Sequence, residues 1–346
     1  MAMVTDLVDM TNQSAASQEL LMDDRSLRTT IGCLYMVLTL LGLVAYSIIL
    51  LAMLRNRHVF SGHPFYALVY HLAIADVSYL VVVFLLPIPY TFARDNFYPS
   101  WVSIALASVD TTVMNAVFYM AFLITLNRFL CFLLPNVNRL LFSANTPVFK
   151  ALLAFPWVIA VAVTVLTTAE GCYKLFDEQM MSYRYKCSGD DLNTSGILSS
   201  TFSILAVVGR VIPISMVVMY CTLFLHLKWL QHRSSLPKSP KFSREVRMML
   251  QGVIICAVLL AEAEAFWLLP KVFADSRVPP IIIMVLSIIN CSINPFVYFV
   301  CNSAVRGCVA EEMRCLVGHW QTVQPIPTTN TVSTSLAVLT MSDSER

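Results

Sequence analysis

The sequence has few charged residues and no polar stretch large enough to enclose a water-soluble core. Asp, Glu, Lys and Arg make up 13% of its 346 residues, while 58% are apolar or aromatic; soluble domains average about 25% charged residues. A net charge of +2 with no basic block excludes a nucleic-acid-binding protein. So apolar a composition also excludes a disordered chain. What remains is an integral membrane protein.

Motifs of catalysis and cofactor binding are missing as well. The sequence contains no Gly-x-Ser-x-Gly, no His-Glu-x-x-His and no glycine-rich phosphate loop, and its six histidines lack the spacing of metal ligands. We therefore predict no enzymatic activity, no cofactor and no metal site.

Seven apolar runs are each long enough, at about 20 residues, to cross the hydrocarbon core of a bilayer as a helix. Inside lipid every backbone amide needs a partner, which favours helices for runs of this length. We therefore predict an all-α membrane protein, a seven-transmembrane helix bundle, with spans at 30–54, 64–90, 101–134, 148–169, 197–227, 246–270 and 279–301.

The distribution of basic residues predicts the direction in which the chain crosses the membrane. With the N-terminus outside, the cytoplasmic parts hold 14 of the 23 basic residues and 5 of the 21 acids, whereas the outer parts hold 8 basic residues and 12 acids. The sequons at Asn12 and Asn193 then both fall outside, as candidate glycosylation sites. We expect a multi-pass protein of the plasma membrane with a cytoplasmic C-terminus.

The segments around the bundle have distinct predicted roles. Residues 1–29 form a polar extracellular tail, 30–301 the seven-helix domain, 302–318 an amphipathic helix at the membrane surface, and 319–346 a disordered cytoplasmic tail. In the surface helix, Cys308 and Cys315 lie two turns apart and are candidates for palmitoylation; the alternative is that both stay unmodified.

Two cysteines stand apart from the other eight. Cys172 and Cys187 are the ones predicted to lie outside, both in the loop between spans four and five. The oxidising outer face permits a disulfide between them, which would hold the loop over the mouth of the bundle. Two free thiols are the alternative.

Two motifs lie at the cytoplasmic ends of the spans. Residues 126–129, in span three, read Leu-Asn-Arg-Phe, and residues 294–298, in span seven, read Asn-Pro-Phe-Val-Tyr. The second matches the Asn-Pro-x-x-Tyr motif of rhodopsin-like receptors, and the first keeps the arginine of their Asp-Arg-Tyr. With Asp76, Trp157 and Pro213 at the places of family landmarks, the chain resembles a G-protein-coupled receptor over all seven spans.

Within this superfamily the chain is similar to the nematode serpentine chemoreceptors of class x, Srx. Asn-Arg-Phe at 127–129 is followed by Pro135, and a loop with two cysteines precedes span five. Ser103 replaces the outer cysteine of span three, which supports a bridge within the loop. Among other departures, Tyr46 stands where span one usually has Asn, and span six lacks the Cys-Trp-x-Pro motif.

The resemblance implies a hinge between spans two and seven, formed by Asp76, Asn294, Pro295 and Tyr298. Pro295 removes a backbone hydrogen bond and kinks its helix. The amide of Asn294 can bond the freed carbonyls or reach Asp76. Receptors of this type bind sodium in this region. Asp76, Asn290 and Asn294 could contribute ligands here, but Val117 occupies a position that usually carries a hydroxyl, so the sequence leaves a sodium site open.

Arg128 resembles the arginine that meets the heterotrimeric G protein when the inner ends of spans three and six separate. Its usual acidic neighbour is Asn127 here, which weakens the local restraint. Glu245, at the start of span six, is a candidate to hold Arg128 instead. The alternative is that Arg128 snorkels to lipid phosphates and Glu245 is exposed.

Charged side chains within the membrane normally face a cavity or a partner, because each costs about 2.5 to 3.5 kcal/mol at the centre of a helix. Asp110 lies 18 residues, about five helical turns, before Arg128. Both residues therefore lie on one face, about 27 Å apart. By resemblance, Asp110 coincides with the carboxylate that pairs with the ammonium group in amine-binding receptors.

The other candidate ligand residues are Arg210 in span five and Glu262, Glu264 and Trp267 in span six. With Asp110, the two glutamates would make an acidic outer cavity suited to a cationic ligand. The alternative is that Arg210 neutralises one of these acids. Because Glu262 and Glu264 lie about 200° apart around a helix, both cannot face the cavity.

These observations predict a chemoreceptor that sits among membrane lipids, binds an extracellular small molecule and activates a heterotrimeric G protein. A rhodopsin-like receptor for an amine or peptide neurotransmitter is the first alternative. A secondary transporter is the more remote one: intramembrane acids can relay protons, but the sequence shows no pair of matching halves with broken helices.

Overall fold

A computed structural model describes residues 2–60, 62–93, 98–144, 146–187, 195–233, 240–273 and 277–322. Side chains are described throughout these ranges except at 2–24, 59, 195–206, 230, 231, 233, 240–248, 267, 270, 271, 313 and 315–322. The chain divides into two compact units, Met1–Val309 and Ala310–Arg346. The first unit contains all seven of the described membrane-length helices.

The described elements are mainly helices, with one pair of strands. In chain order they are α1 Ala2–Arg55, α2 Arg57–Phe60, α3 Pro64–Leu85, α4 Pro87–Ala93, α5 Ser100–Leu133, α6 Pro135–Leu141, α7 Pro147–Ala169, β1 Cys172–Asp177, β2 Ser182–Cys187, α8 Ser195–Arg233, α9 Pro240–Val272, α10 Val278–Cys301 and α11 Ser303–Thr322.

Seven of the described helical segments are long and apolar enough to cross a membrane, which confirms the predicted fold class. Their bounds are Arg25–Arg55, Pro64–Ala93, Ser100–Leu133, Pro147–Ala169, Val207–Trp229, Met249–Phe266 and Val278–Cys301. The first span, Arg25–Arg55, is close to the predicted 30–54, but the helix that contains it, α1, begins at Ala2. The polar residues before 25 continue the same helix.

Several helices begin where the sequence makes a helical start favourable. Pro64, Pro135 and Pro147 each stand in the first turn of a helix, where the missing backbone N–H needs no partner. Thr146 also caps α7, since its hydroxyl accepts a hydrogen bond from the backbone N–H of Phe149 at 3.2 Å. These helix starts fix where the connections between successive helices end.

The outer surface of the bundle is apolar. Val44, Val161 and Leu225 are 58%, 50% and 65% exposed, and many other large apolar side chains share this arrangement. So much exposed apolar surface would be unfavourable in water but matches the solvent properties of lipid. The exposure pattern therefore agrees with a multi-pass membrane protein.

The helices pack around α5, which contacts α3, α7 and α8. α1 packs against α3 and α10, and α9 packs against α8 and α10, which completes the bundle. Large buried side chains, Tyr46, Tyr79, Met120 and Tyr298 among them, fill its interior. The bundle thus encloses polar groups that a lipid-facing position could not tolerate.

A β-hairpin between α7 and α8 covers one end of the bundle. β1 and β2 are antiparallel, in a register that runs from Cys172 opposite Cys187 to Asp177 opposite Ser182. A disulfide joins Cys172 to Cys187, as predicted, and closes the open end of the hairpin. β1 packs against α5 and α7, and β2 against α10. We call this end of the bundle the hairpin end.

The turn of the hairpin is held from both sides. The carboxylate of Asp177 accepts hydrogen bonds from the backbone N–H groups of Gln179 at 2.8 Å and Met180 at 3.1 Å. Met181 has a left-handed backbone, with φ of 50°, and is fully buried. Its carbonyl accepts a hydrogen bond from the hydroxyl of Tyr35 on α1 at 3.0 Å. Burial and this bond offset the cost of the unusual backbone conformation.

Candidate functional site

A cavity of about 560 Å³ lies beneath the hairpin, between α3, α5, α7, α8, α9 and α10. This volume is within the range of sites for small molecules. Aromatic side chains form much of its wall, namely Tyr79, Phe118, Tyr119, Tyr183, Tyr185, Phe266 and Phe273. The cavity is therefore lined by six spans and by the hairpin.

An ion pair joins the hairpin to α5 beside this cavity. The ammonium group of Lys174, on β1, donates to the carboxylate of Asp110, which is fully buried. Burial lowers the pKa of Lys174, but the attraction and the hydrogen bond of Asp110, together with the charges of Tyr185 and Glu262, raise that pKa above its ordinary value. The centre of the Tyr183 ring lies 4.4 Å from the ammonium nitrogen of Lys174. Lys174 is therefore a charged partner for Asp110.

No pattern in the sequence singles out Lys174. From the sequence, a ligand cation and Arg210 are the candidate partners of Asp110, and the structure gives that place to a residue of the hairpin. Arg210 is half-buried on α8, beside Gly209, which lines the cavity. A lysine in a loop of aromatic and basic residues carries no sequence signal of this pairing.

Glu262 lines the cavity and links α9 to α10. One carboxylate oxygen accepts a hydrogen bond from the hydroxyl of Ser287 at 2.5 Å, and the other accepts from the amide of Asn290 at 2.8 Å. Glu264 is half-buried and does not line the cavity. The side chain of Trp267 lies outside the described residues. Ligand contacts by these three residues stay predictions.

Below the cavity, a second polar cluster joins three helices. The carboxylate of Asp76, on α3, accepts hydrogen bonds from the hydroxyl of Tyr46 on α1 and, at 2.8 Å, from the amide of Asn294 on α10. The contact between Asn294 and Asp76 is one of the two that the sequence offered for this amide. Tyr46, seen in the sequence only as a departure from the family pattern, is the other donor.

The rest of the predicted hinge surrounds this cluster. Pro295 lies inside α10, and Tyr298 is buried one turn later. Among the described residues, the hydroxyl of Tyr298 has no hydrogen-bond partner. A buried donor without a partner costs about 1 to 3 kcal/mol, so this part of α10 gains free energy if Tyr298 finds an acceptor in another conformation.

At the end of the bundle opposite the hairpin, α5 carries the predicted switch residues. The guanidinium carbon of Arg128 lies 3.7 Å from the centre of the Phe65 ring on α3, a cation–π contact. The amide of Asn127 is buried and donates to the side-chain oxygen of Asn138 on α6 at 3.1 Å. The side chain of Glu245 lies outside the described residues, so its restraint of Arg128 stays a prediction.

Beside Arg128, α8 and α9 approach each other closely at Gly252. A Cβ atom at this position would lie 1.9 Å from the hydroxyl oxygen and 2.2 Å from the ring carbon of Tyr220. Glycine is therefore the residue that lets the Tyr220 side chain rest against the backbone of α9. Arg128, Tyr220 and Gly252 line the same small space.

Four predicted modification sites are only partly described. Asn193 and the side chains of Asn12 and Cys315 lie outside the described residues. Cys308 is buried, with 7% exposure, among the core residues of the bundle. A lipid chain on its thiol would require this part of α11 to move, and palmitoylation and glycosylation stay predictions.

Seven membrane-length helices, with a small-molecule cavity at one end and an arginine at the far end of the central helix, define the class of seven-transmembrane receptors. A family model described as serpentine type 7TM GPCR chemoreceptor Srx matches residues 36–302. The match covers most of the chain, which therefore belongs to this family of seven-transmembrane receptors. Comparison with curated proteins returned no match.

Proposed function

We propose that the protein is a chemosensory receptor of the plasma membrane, which binds an extracellular small molecule in the cavity at the hairpin end and activates a heterotrimeric G protein at the opposite end. One observation carries this proposal: α5 lines the cavity at one end and holds Arg128 at the other. A single helix therefore connects the proposed ligand site to the proposed G-protein site.

The direction of the chain supports this assignment of the two ends. The excess of basic residues in the predicted cytoplasmic segments favours an N-terminus outside. In that topology the hairpin faces outward, where the bond between Cys172 and Cys187 is stable. Arg128 and α6 then face the cytoplasm, where a G protein is available.

The polar contacts supply a route by which a ligand shifts the bundle. Glu262 lies on the cavity wall and is bonded to Ser287 and Asn290 of α10. One turn beyond Asn290, Asn294 is bonded to Asp76. A ligand that binds more tightly when α9 and α10 are repositioned shifts the population toward that arrangement. The contacts of α10 with α3 and α9 then change together.

At the inner end, activation requires Arg128 to become accessible. It rests now on Phe65, and the contact of Tyr220 with Gly252 holds α8 against α9 beside it. Separation of α9 from α5 and α8 would open this space to a G-protein segment. Because Asn127 has no charge, this form of restraint does not depend on protonation of an acid next to Arg128.

The test is ligand-stimulated nucleotide exchange. Cells that express the chain with a promiscuous G protein are screened with panels of volatiles, amines and peptides, and a compound that gives a response is used on variants. Arg128→Ala should abolish the response while surface expression stays near that of the wild type. Lys150→Ala, an exposed cation near the same end in α7, serves as the matched control. A normal response of Arg128→Ala would remove the signalling assignment.

A further inference from the structure

The cavity presents a cation and hides the acid that neutralises it. Lys174 lines the cavity, and its side chain is 17% exposed, whereas the side chain of Asp110 is fully buried behind it. A molecule entering the cavity therefore meets a hydrogen-bond donor. An ammonium ligand would have to displace Lys174 to reach Asp110.

The second acid near the cavity is also engaged. Glu262 does line the wall, but each of its oxygens already accepts a hydrogen bond, from Ser287 and from Asn290. A ligand amine would compete with two donors of α10 for this carboxylate. Glu262 therefore offers no unoccupied oxygen to a cation. Oδ1 of Asp110 has no hydrogen-bond partner among the described residues, but this oxygen is buried and Asp110 does not line the cavity wall.

A second donor stands next to Lys174. The ring of Tyr183 lies 4.4 Å from the ammonium nitrogen and lines the cavity. Its hydroxyl is buried and has no hydrogen-bond partner among the described residues. Burial and the charge of Asp110 raise the pKa of Tyr183 well above its ordinary value, so the hydroxyl keeps its proton and can donate it.

We propose that the ligand carries an acceptor oxygen, of a carbonyl or a carboxylate, which accepts hydrogen bonds from Lys174 and Tyr183 while an apolar body of ring size packs among the aromatic side chains. This inference rests on the proposed function, since it names the ligand class of the same cavity. An acceptor at this point satisfies Tyr183 and leaves the bond from Lys174 to Asp110 in place.

The two sources of the acceptor differ in charge. Lys174 is already neutralised by Asp110, and the other cation on the wall, Arg184, bonds to Asp177 at 2.7 Å. A carboxylate must share Lys174 with Asp110, whereas a carbonyl adds no charge to the cavity. We therefore expect a neutral carbonyl compound to bind more tightly than a carboxylate of the same shape, and both to bind more tightly than an amine.

Four aromatic probes of similar size separate these classes: benzylacetone, a neutral ketone; hydrocinnamate, an anion; phenylpropylamine, a cation; and butylbenzene, which has no polar group. Binding to the purified full chain in lipid nanodiscs is measured by the shift of thermal unfolding with probe concentration. Benzylacetone should bind at least about tenfold more tightly than phenylpropylamine and butylbenzene. The affinity of hydrocinnamate should lie between these values.

Two variants test which side chains bond to the acceptor oxygen of the ligand. Tyr183→Phe should weaken benzylacetone about fivefold and leave butylbenzene unchanged. Tyr173→Phe, on the same hairpin but not on the cavity wall, is the matched control and should change neither. The double variant Asp110→Asn with Lys174→Gln removes the donor charge without leaving a buried unpaired acid, and should weaken the acceptor probes about tenfold.

Tightest binding by phenylpropylamine, equal binding by all four probes, or no effect of Tyr183→Phe would overturn the proposal. Failure of every probe to bind up to millimolar concentration would overturn it as well. Binding is measured without a G protein. A loss of signalling in the Arg128 experiment and a failure of this ligand assignment are therefore separate results.

Discussion

Removal of the Lys174 ammonium should destabilise the protein, because it leaves the carboxylate of Asp110 buried without its partner. In Lys174→Met the apolar stem of the side chain is kept and the charge is lost. Breaking a buried ion pair from one side costs about 3 to 5 kcal/mol. Since the Lys174 side chain keeps 17% exposure, we expect the lower value, about 3 kcal/mol.

The assay is thermal unfolding of the purified chain in detergent, followed by tryptophan fluorescence. Asp110→Asn in the Lys174→Met background should restore much of the lost stability, because the uncompensated charge is removed as well. Lys186→Met, an exposed lysine on β2, is the matched control and should cost little. Equal stability of the single and double variants, both far below the wild type, would refute the ion-pair reasoning.

The same pair predicts how stability depends on pH. The pKa of Lys174 is raised in the folded protein above its ordinary value of 10.5. A raised pKa of a cation gives stability that is fully present below the unfolded value and is lost as the pH rises through the folded value. The contribution of Lys174 should therefore be constant from about pH 7 to 9 and fall only above about pH 10.5.

Three further substitutions test other contacts. Gly252→Ala should raise basal nucleotide exchange, because its Cβ collides with Tyr220 and separates α8 from α9. Gly307→Ala is the control, since a Cβ there lies in open space, and it should not raise exchange. Unchanged exchange in both variants would contradict the role of the contact between Tyr220 and Gly252. Tyr46→Phe should cost about 1 to 3 kcal/mol of unfolding free energy by removing a donor to buried Asp76, and unaltered thermal stability would refute that. Asn138→Ala should cost about 1 to 3 kcal/mol because it leaves the buried amide of Asn127 unpaired, again measured by thermal unfolding.

Much of the fold could be predicted from the sequence because hydropathy determines it. The seven spans follow from the length of the apolar runs, and the bridge between Cys172 and Cys187 follows from their place together in one loop between two spans. Helical geometry also predicts that the side chains of Glu262 and Glu264 cannot both face the cavity. In the structure Glu262 bonds to α10, while Glu264 is half-buried.

The partners of the charged groups could not be predicted in the same way. Lys174 reaches Asp110 across 64 residues of chain, and this meeting depends on a β-hairpin that the apolar pattern does not reveal. Tyr46 meets Asp76 because α1 packs against α3 with the face that carries Tyr46 turned toward α3. Periodicity places a residue on a face of its own helix, but the partner is set by tertiary packing.

We propose that the ligand cavity and the G-protein surface lie on opposite sides of the membrane. Epitope tags at the two ends of the chain test this most directly in cells that express it. The N-terminal tag should bind antibody on intact cells, and the C-terminal tag only after permeabilisation. Both tags on the same side of the plasma membrane would contradict the seven-span topology and the signalling function that depends on it.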